Sequence, residues 1–195
     1  MVTDPFAKDI GLTPPRMRAD IVAVTHGHFD HNNAQSLAGE PFMITGPGEY
    51  EIKGAYIRGV ETFHDAQSGA LRGLNTIYTI RIEDLTIAHF GDFGEDGLRP
   101  ETADELGSVD VLMIPVGGVY TIDGKTAAKI VKQLEPRFVI PMHYAVRGLS
   151  FKLDGVDQFL KEMGAGMPEP VEKFTIRKKD ISPEEKTEVV VLNIA

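Results

Sequence analysis

Between Thr25 and Asn33 the chain reads THGHFDHNN, so three of its six histidines and one aspartate fall within six consecutive positions. Imidazole nitrogen and carboxylate oxygen are ligands that borderline divalent metals such as zinc accept readily. The chain has no cysteine, which removes thiolate metal sites and disulfides alike. His26, His28, Asp30 and His31 are therefore the first candidates for a metal centre. Farther along, His64 closes AYIRGVETF, Asp92 stands just past LTIAHFG, and His143 closes RFVIPM. A polar loop would account for the first cluster alone, but not for later His and Asp residues that also stand where strand-like runs end. Two ions about 3.5 to 4 Å apart need about this number of side chains together with a bridging group.

The elements that must position these groups are short runs rich in Val and Ile, separated by turn signals and a few helical patterns, as in mixed sheets covered by helices. Strands are predicted at 21–25, 42–45, 55–63, 76–82, 85–90, 109–116, 137–142 and 188–194, and helices near 33–38, 100–106, 124–134 and 155–163. Asp154 is expected to cap the last helix and Gly164 to end it. The segment GPGEYEIKG reads as a pair of turns, Glu83-Asp84 as a tight hairpin, and RKKDISPEEKTE as a solvated loop before the closing strand. In open α/β sheets functional groups collect where strands end. The spacing of His26 and His28 can turn both imidazoles the same way while the backbone is still extended. His89, inside a strand, is expected to be a core or surface residue away from the pocket, and Asp65 a solvated turn residue. Tyr120 and Tyr144 flank the candidate site, as hydrogen-bond donors to a substrate or as structural phenols. The glycines of GDFGEDG and PVGGVYT match no phosphate-binding fingerprint and read as tight turns that bring backbone close to the metals.

At 195 residues, with 42% hydrophobic and 25% charged residues, residues 1–195 have the make-up of a single α/β domain. The formal net charge of -9 leaves no basic footprint for a nucleic-acid backbone, so nucleic acid is not expected as a partner, and a small-molecule substrate, anionic ones included, is favoured. No apolar run approaches the roughly 20 residues that span a bilayer, and no signal peptide opens the chain. No membrane partner is expected and a cytoplasmic location is the default.

His26-x-His28-x-Asp30-His31, followed in order by His64, Asp92 and His143, resembles the motif series of the metallo-β-lactamase fold superfamily of dinuclear metal hydrolases. The resemblance runs through most of the chain. It implies an αββα sandwich, with His26, His28 and His64 on a first metal, Asp30, His31 and His143 on a second, and Asp92 between them. Two divalent ions are implied, Zn2+ foremost, with Mn2+ or Fe2+ as alternatives. Asp4 matches an aspartate that orients the HxHxDH loop from behind the ligands. The segments DPF, DHNN, GPGEYE, GLNTIY, GDFG and PVGGVYT resemble a branch of Zn-dependent hydrolases distantly similar to L-ascorbate-6-phosphate lactonase, a branch that leaves the substrate open. Relatives in this branch begin with a strand pair ahead of the DPF segment. The first N-terminal strands of the sandwich are thus expected to be lacking, which would expose a sheet edge and favour a homo-oligomer.

The implied activity is metal-dependent hydrolysis of a small ester, lactone or phosphoester by a metal-bridging hydroxide, with Asp30 as the catalytic residue that orients it and moves its proton. The alternatives are a metallo-ribonuclease-like phosphodiesterase, for which the chain has no room for an inserted nucleic-acid domain or clamp arm, and a metal-binding module without activity. A di-iron oxygen or nitric oxide reductase of the same fold would carry Glu where His28 stands. A β-lactamase with a Cys ligand is excluded by composition.

Overall fold

The computed structural model describes residues 1–14, 16–182 and 185–193. A three-stranded parallel sheet is built from β1 (Val2–Thr3), β2 (Ile21–Ala23) and β3 (Phe42–Ile44), with β2 in the centre and buried throughout. A seven-stranded sheet contains β4 (Gly48–Ile52), β5 (Ala55–Phe63), β6 (Leu74–Ile82), β7 (Leu85–His89), β8 (Val111–Pro115), β9 (Phe138–Met142) and β10 (Glu188–Val189), in spatial order β10-β9-β8-β7-β6-β5-β4. The strands predicted at 55–63 and 85–90 form nearly as expected, and the others shorten or lengthen at their ends. The run 188–194 forms a ladder over β10 and a single bridge from Leu192 to Val171, and its Ile194 lies outside the described residues. GPGEYEIKG is a strand, not a pair of turns. Residues Gly48–Ile52 pair antiparallel with β5 across Lys53-Gly54, both at positive φ. Glu-Tyr-Glu alternation on a partly exposed edge strand carries too little apolar signal to be read as a strand from sequence. Glu83 and Asp84, at φ 49° and 64°, form the tight hairpin expected between β6 and β7.

Two faces of the large sheet are covered differently. On one face Val60, Ile77, Leu112, Ile114 and Val139 pack against α1 (Pro100–Leu106), α2 (Gly124–Leu134) and α3 (Asp157–Met163). Fully buried side chains such as Phe90, Phe93 and Phe159 each stabilise by about 1.5–3 kcal/mol relative to exposure. On the opposite face Ile57, Tyr78 and Ile80 meet Ile21, Ala23 and Ile44 of the small sheet, as the period-2 alternation of β5 and β6 requires. Beyond the small sheet, the helix expected at 33–38 is a single 3-10 turn, Ala34–Ser36, next to buried Leu37. The layers are therefore those of the αββα sandwich, with a thin outer layer on the N-terminal side.

Helix α2 opens on Asp123, whose Oδ1 accepts from the Thr126 N–H at 2.7 Å, a cap worth about 1 kcal/mol. Helix α3 is capped differently from the expectation. Its N-cap is Val156, while Asp154 donates its backbone N–H to the Gly117 carbonyl and accepts from Ala145 N–H, which ties the site loops together. Gly164, at φ 64°, ends the helix as expected. No helix among the described residues is long and apolar enough to cross a membrane.

Candidate metal centre

Sheet topology explains why four distant segments meet. Strand β5 is antiparallel to β6 and β6 to β7, so β5 and β7 run the same way, and β7, β8 and β9 are mutually parallel. The C-terminal ends of β5, β7 and β9 consequently share one edge of the sheet. His64 follows the first, Asp92 the second, and His143 the third. The small sheet delivers the HxHxDH segment to the same edge. Thr76 N–H of β6 donates to the Thr25 carbonyl, and the Tyr78 hydroxyl donates to the Val24 carbonyl at 2.8 Å.

The side chains converge as the sequence expects. His64 Nε2 stands 3.2 Å from Asp92 Oδ2, His31 Nε2 3.3 Å from Asp92 Oδ1, His143 Nε2 3.5 Å and His26 Nε2 3.9 Å from Asp92 Oδ2. Three groups have ligand atoms within 4.8 Å of one another: His26, His28 and His64; His26, His31 and Asp92; and Asp30, His31 and His143. Ligands at about 2.0–2.1 Å from a tetrahedral zinc stand roughly 3.3 Å apart, so these separations suit a metal. His26 Nε2, His64 Nδ1, His143 Nδ1 and Asp92 Oδ1 are buried with no hydrogen-bond partner among the described residues. Orphaned buried polar atoms are costly unless something satisfies them. The donor set therefore fits divalent ions.

Backbone geometry at the site is specialised. His143 and Asp4 adopt positive φ, 50° and 45°, a region that non-glycine residues enter at a cost. At Gly91, φ 54°, a Cβ would lie 2.6 Å from Thr25 Oγ1 and 2.5 Å from Asn75 Oδ1, and at Gly117 a Cβ would lie on the His143 carbonyl. Only glycine lets these chains approach, as the turn reading of both glycine motifs expects. Asn75 completes the support by accepting from Asp92 N–H at 3.0 Å and donating to the Phe90 carbonyl.

Charge is balanced internally. Burial raises the Asp92 carboxyl, but His31, His64 and other neighbouring imidazoles outweigh burial and hold it well below the usual range. Burial disfavours a charged His31, yet Asp92 and Asp4 outweigh it and hold that imidazole up at about 9. Burial and then His31 push His26 down to about 3.

Several residues take places that sequence alone did not assign. Asp65 is no solvated turn residue. It is 3% exposed, and its carboxylate accepts from the backbone N–H groups of Gln67, Gly69, Leu71 and Arg72 at 2.7–3.0 Å. His89 is buried, as the core reading expects, but it ends β7 instead of lying mid-strand and lines a cavity of about 370 Å³ that Asp30, His31, Asp92 and His143 also line. Tyr144 lines that apolar cavity, whereas Tyr120 lines a second opening of about 360 Å³ over His28, His64 and Asp92. Arg72, unnoticed in the sequence, stands on the wall of that opening. Its only sequence signal is a lone cation between two glycine-containing turns.

Comparison with known proteins agrees with the geometry. Residues 1–143 match the β-lactamase superfamily domain family. A UPF0173 metal-dependent hydrolase of Thermococcus kodakarensis is 30% identical over 174 residues, 74% of this chain and 76% of the relative. Another, from Pyrococcus horikoshii, is 32% identical over 152 residues, 64% and 66% of the two chains. A solved structure from Thermotoga maritima, assigned to the Zn-dependent hydrolases of the metallo-β-lactamase superfamily, is similar with a TM-score of 0.74 at 34% identity, covering 98% of this chain and 90% of that one. With its strand-end series of His and Asp residues and its αββα layers, the chain belongs to the metallo-β-lactamase superfamily and, within it, to the UPF0173 metal-dependent hydrolases.

Proposed function

We propose that this hydrolase is dinuclear and acts on a small ester, lactone or phosphoester. His26, His28 and His64 would hold one divalent ion and Asp30, His31 and His143 the other, with Asp92 between them. Convergence of three overlapping ligand groups at Asp92 is the observation that carries this proposal. When bound, such a pair supplies an acidified water and a Lewis acid for the substrate oxygen.

The chain's own residues do the rest. Asp30 lines both the inner apolar cavity and the outer opening, so its carboxylate can orient the attacking water and carry a proton toward the leaving group. Asp4 holds His31 through its Nδ1, which leaves Nε2 facing Asp92. Thr25 Oγ1, 2.7 Å from Asp4 Oδ2 and 3.0 Å from His26 Nδ1, ties His26 to the same support. Tyr120 and Phe151, with ring centroids 5.9 Å apart, wall the opening and restrict water.

Metal analysis of the purified protein, coupled to a screen of esters, lactones and phosphodiesters, tests the proposal. Two zinc equivalents and turnover in one of the three classes are expected. A stoichiometry of one, or turnover indifferent to chelation, would sink it.

A further inference from the structure

We propose that Arg72 is a specificity-determining residue that recognises a carboxylate on the substrate, so that the hydrolysed ester or lactone also carries a free acid group. The inference rests on the proposed function, because it places the scissile group at the ligand cluster and the acid group at the rim of the same opening.

Arg72 is half-buried and is the single Lys or Arg on the described wall of the opening that holds His28, Asp30, Asp92 and Tyr120. Its guanidinium is held by neutral groups. One nitrogen donates to the Val119 carbonyl at 3.4 Å, and Cζ lies 5.6 Å from the Tyr120 ring centroid. These contacts orient the fork without neutralising it.

Three of the four acidic side chains on the adjoining surface are engaged elsewhere. Asp65 binds four backbone N–H groups, Glu95 pairs with Arg99 at 3.0 Å, and Asp123 caps α2, while Asp96 is exposed to solvent. Asp65 also explains why the cation is on this wall. Two of its four bonds go to Leu71 and Arg72 themselves, so the loop is fixed at the position that carries the fork. With a net charge of -9, the protein at large repels anions, but exposed charges beyond a Debye length of about 8–10 Å are screened, and the nearby cation then decides.

A carboxylate fits better than a phosphate. One planar guanidinium matches one carboxylate in charge and geometry, and no second Lys or Arg lines the opening among the described residues.

Isothermal titration of the zinc-loaded protein with malonate, succinate, glutarate and adipate, each against the monocarboxylate of equal chain length, isolates the rim contribution. At least one diacid should bind roughly ten- to hundred-fold tighter than its monoacid. Arg72→Gln should remove that advantage with zinc content and melting temperature unchanged, and Arg72→Lys should keep part of it. If Arg72→Gln fails to fold, Arg72→Met, which keeps the aliphatic stem over Tyr120, carries the same test. Absence of a diacid preference in the wild type, or its survival without Arg72, overturns the proposal. A larger Arg72-dependent gain for 3-phosphonopropionate than for succinate overturns the carboxylate in favour of phosphate. Turnover of neutral esters with no Arg72-dependent preference removes this inference and leaves the hydrolase proposal standing. An Arg72-dependent preference without turnover of any ester, lactone or phosphodiester leaves Arg72 a carboxylate-binding residue but overturns both the proposed substrate classes and the acid-bearing ester or lactone inferred from them.

Discussion

Asp4 Oδ2 lies 3.0 Å from His31 Nδ1, while Asp4 Oδ1 accepts from the Thr25 N–H at 2.8 Å. One carboxylate at the end of β1 thus joins both ends of the HxHxDH segment. Partners of this kind fix the orientation and basicity of a ligand, and losing one costs about 10–100-fold in metal affinity. Asp4→Asn should weaken by that factor the binding of the ion proposed for Asp30, His31 and His143, and affect the ion proposed for His26, His28 and His64 less. Chelator competition on the zinc-loaded protein measures this. Unchanged affinity at both sites would show that Asp4 is not a support.

Asp30→Ala should lower kcat by about 10²–10⁴ and leave one zinc equivalent in place, since His26, His28 and His64 do not depend on it. Parallel loss of turnover and of all metal would mean that Asp30 serves only to hold the loop.

His89→Ala should spare metal binding but destabilise the protein. The buried His89 accepts at Nδ1 from the Gly91 N–H at 3.2 Å, and leaving that donor without a partner costs about 1–3 kcal/mol. Denaturant melts alongside zinc analysis check both halves. Loss of zinc at unchanged stability would reverse the assignment and make His89 part of the centre.

Metal-free protein should melt highest near neutral pH and lose stability on both sides. Burial pushes His26 down from 6.5 to about 3, and burial likewise depresses His28, His89 and His143. Below 6.5 the unfolded chain takes up protons that the folded chain refuses, so stability falls with pH. His31 acts oppositely. Raised to about 9 by Asp92 and Asp4 against burial, it contributes in full below 6.5, and that contribution is lost as pH rises toward 9. Thermal melts from pH 5 to 9 in chelator read both limbs. A melting temperature that does not vary over this range would contradict the charge balance described for the site.

Asp65→Asn should loosen the 65–72 loop. Burial raises the Asp65 carboxyl, but the backbone donors, led by Arg72 N–H, outweigh it and hold the group ionised below its usual range. An amide offers one acceptor oxygen and an NH2 that faces the same donors. Hydrogen exchange at Gln67, Gly69, Leu71 and Arg72 should accelerate, and the diacid preference should fall with it. Protection equal to that of the wild type would show that the loop is ordered by something else.

The sequence by itself determined the donor chemistry: no thiolate, a six-residue cluster carrying three imidazoles and a carboxylate, and further His and Asp residues placed where strand-like runs stop. It also determined most strands and helices, along with the Glu83-Asp84 turn, because apolar periodicity and turn preferences act over a few residues. The edge strand Gly48–Ile52 escaped because its ladder partner, not its side chains, makes it a strand. Only the tertiary structure brought His64 and His143 to Asp92. That convergence depends on β5, β7 and β9 running the same way, and no local spacing encodes strand direction. The tertiary structure likewise decided that Asp65 faces four backbone donors, that His89 reaches the inner cavity, and that Arg72 lines the opening. Whether a polar side chain is solvated, structural or poised for a ligand depends on what the rest of the chain packs against it, and those neighbours are remote in sequence.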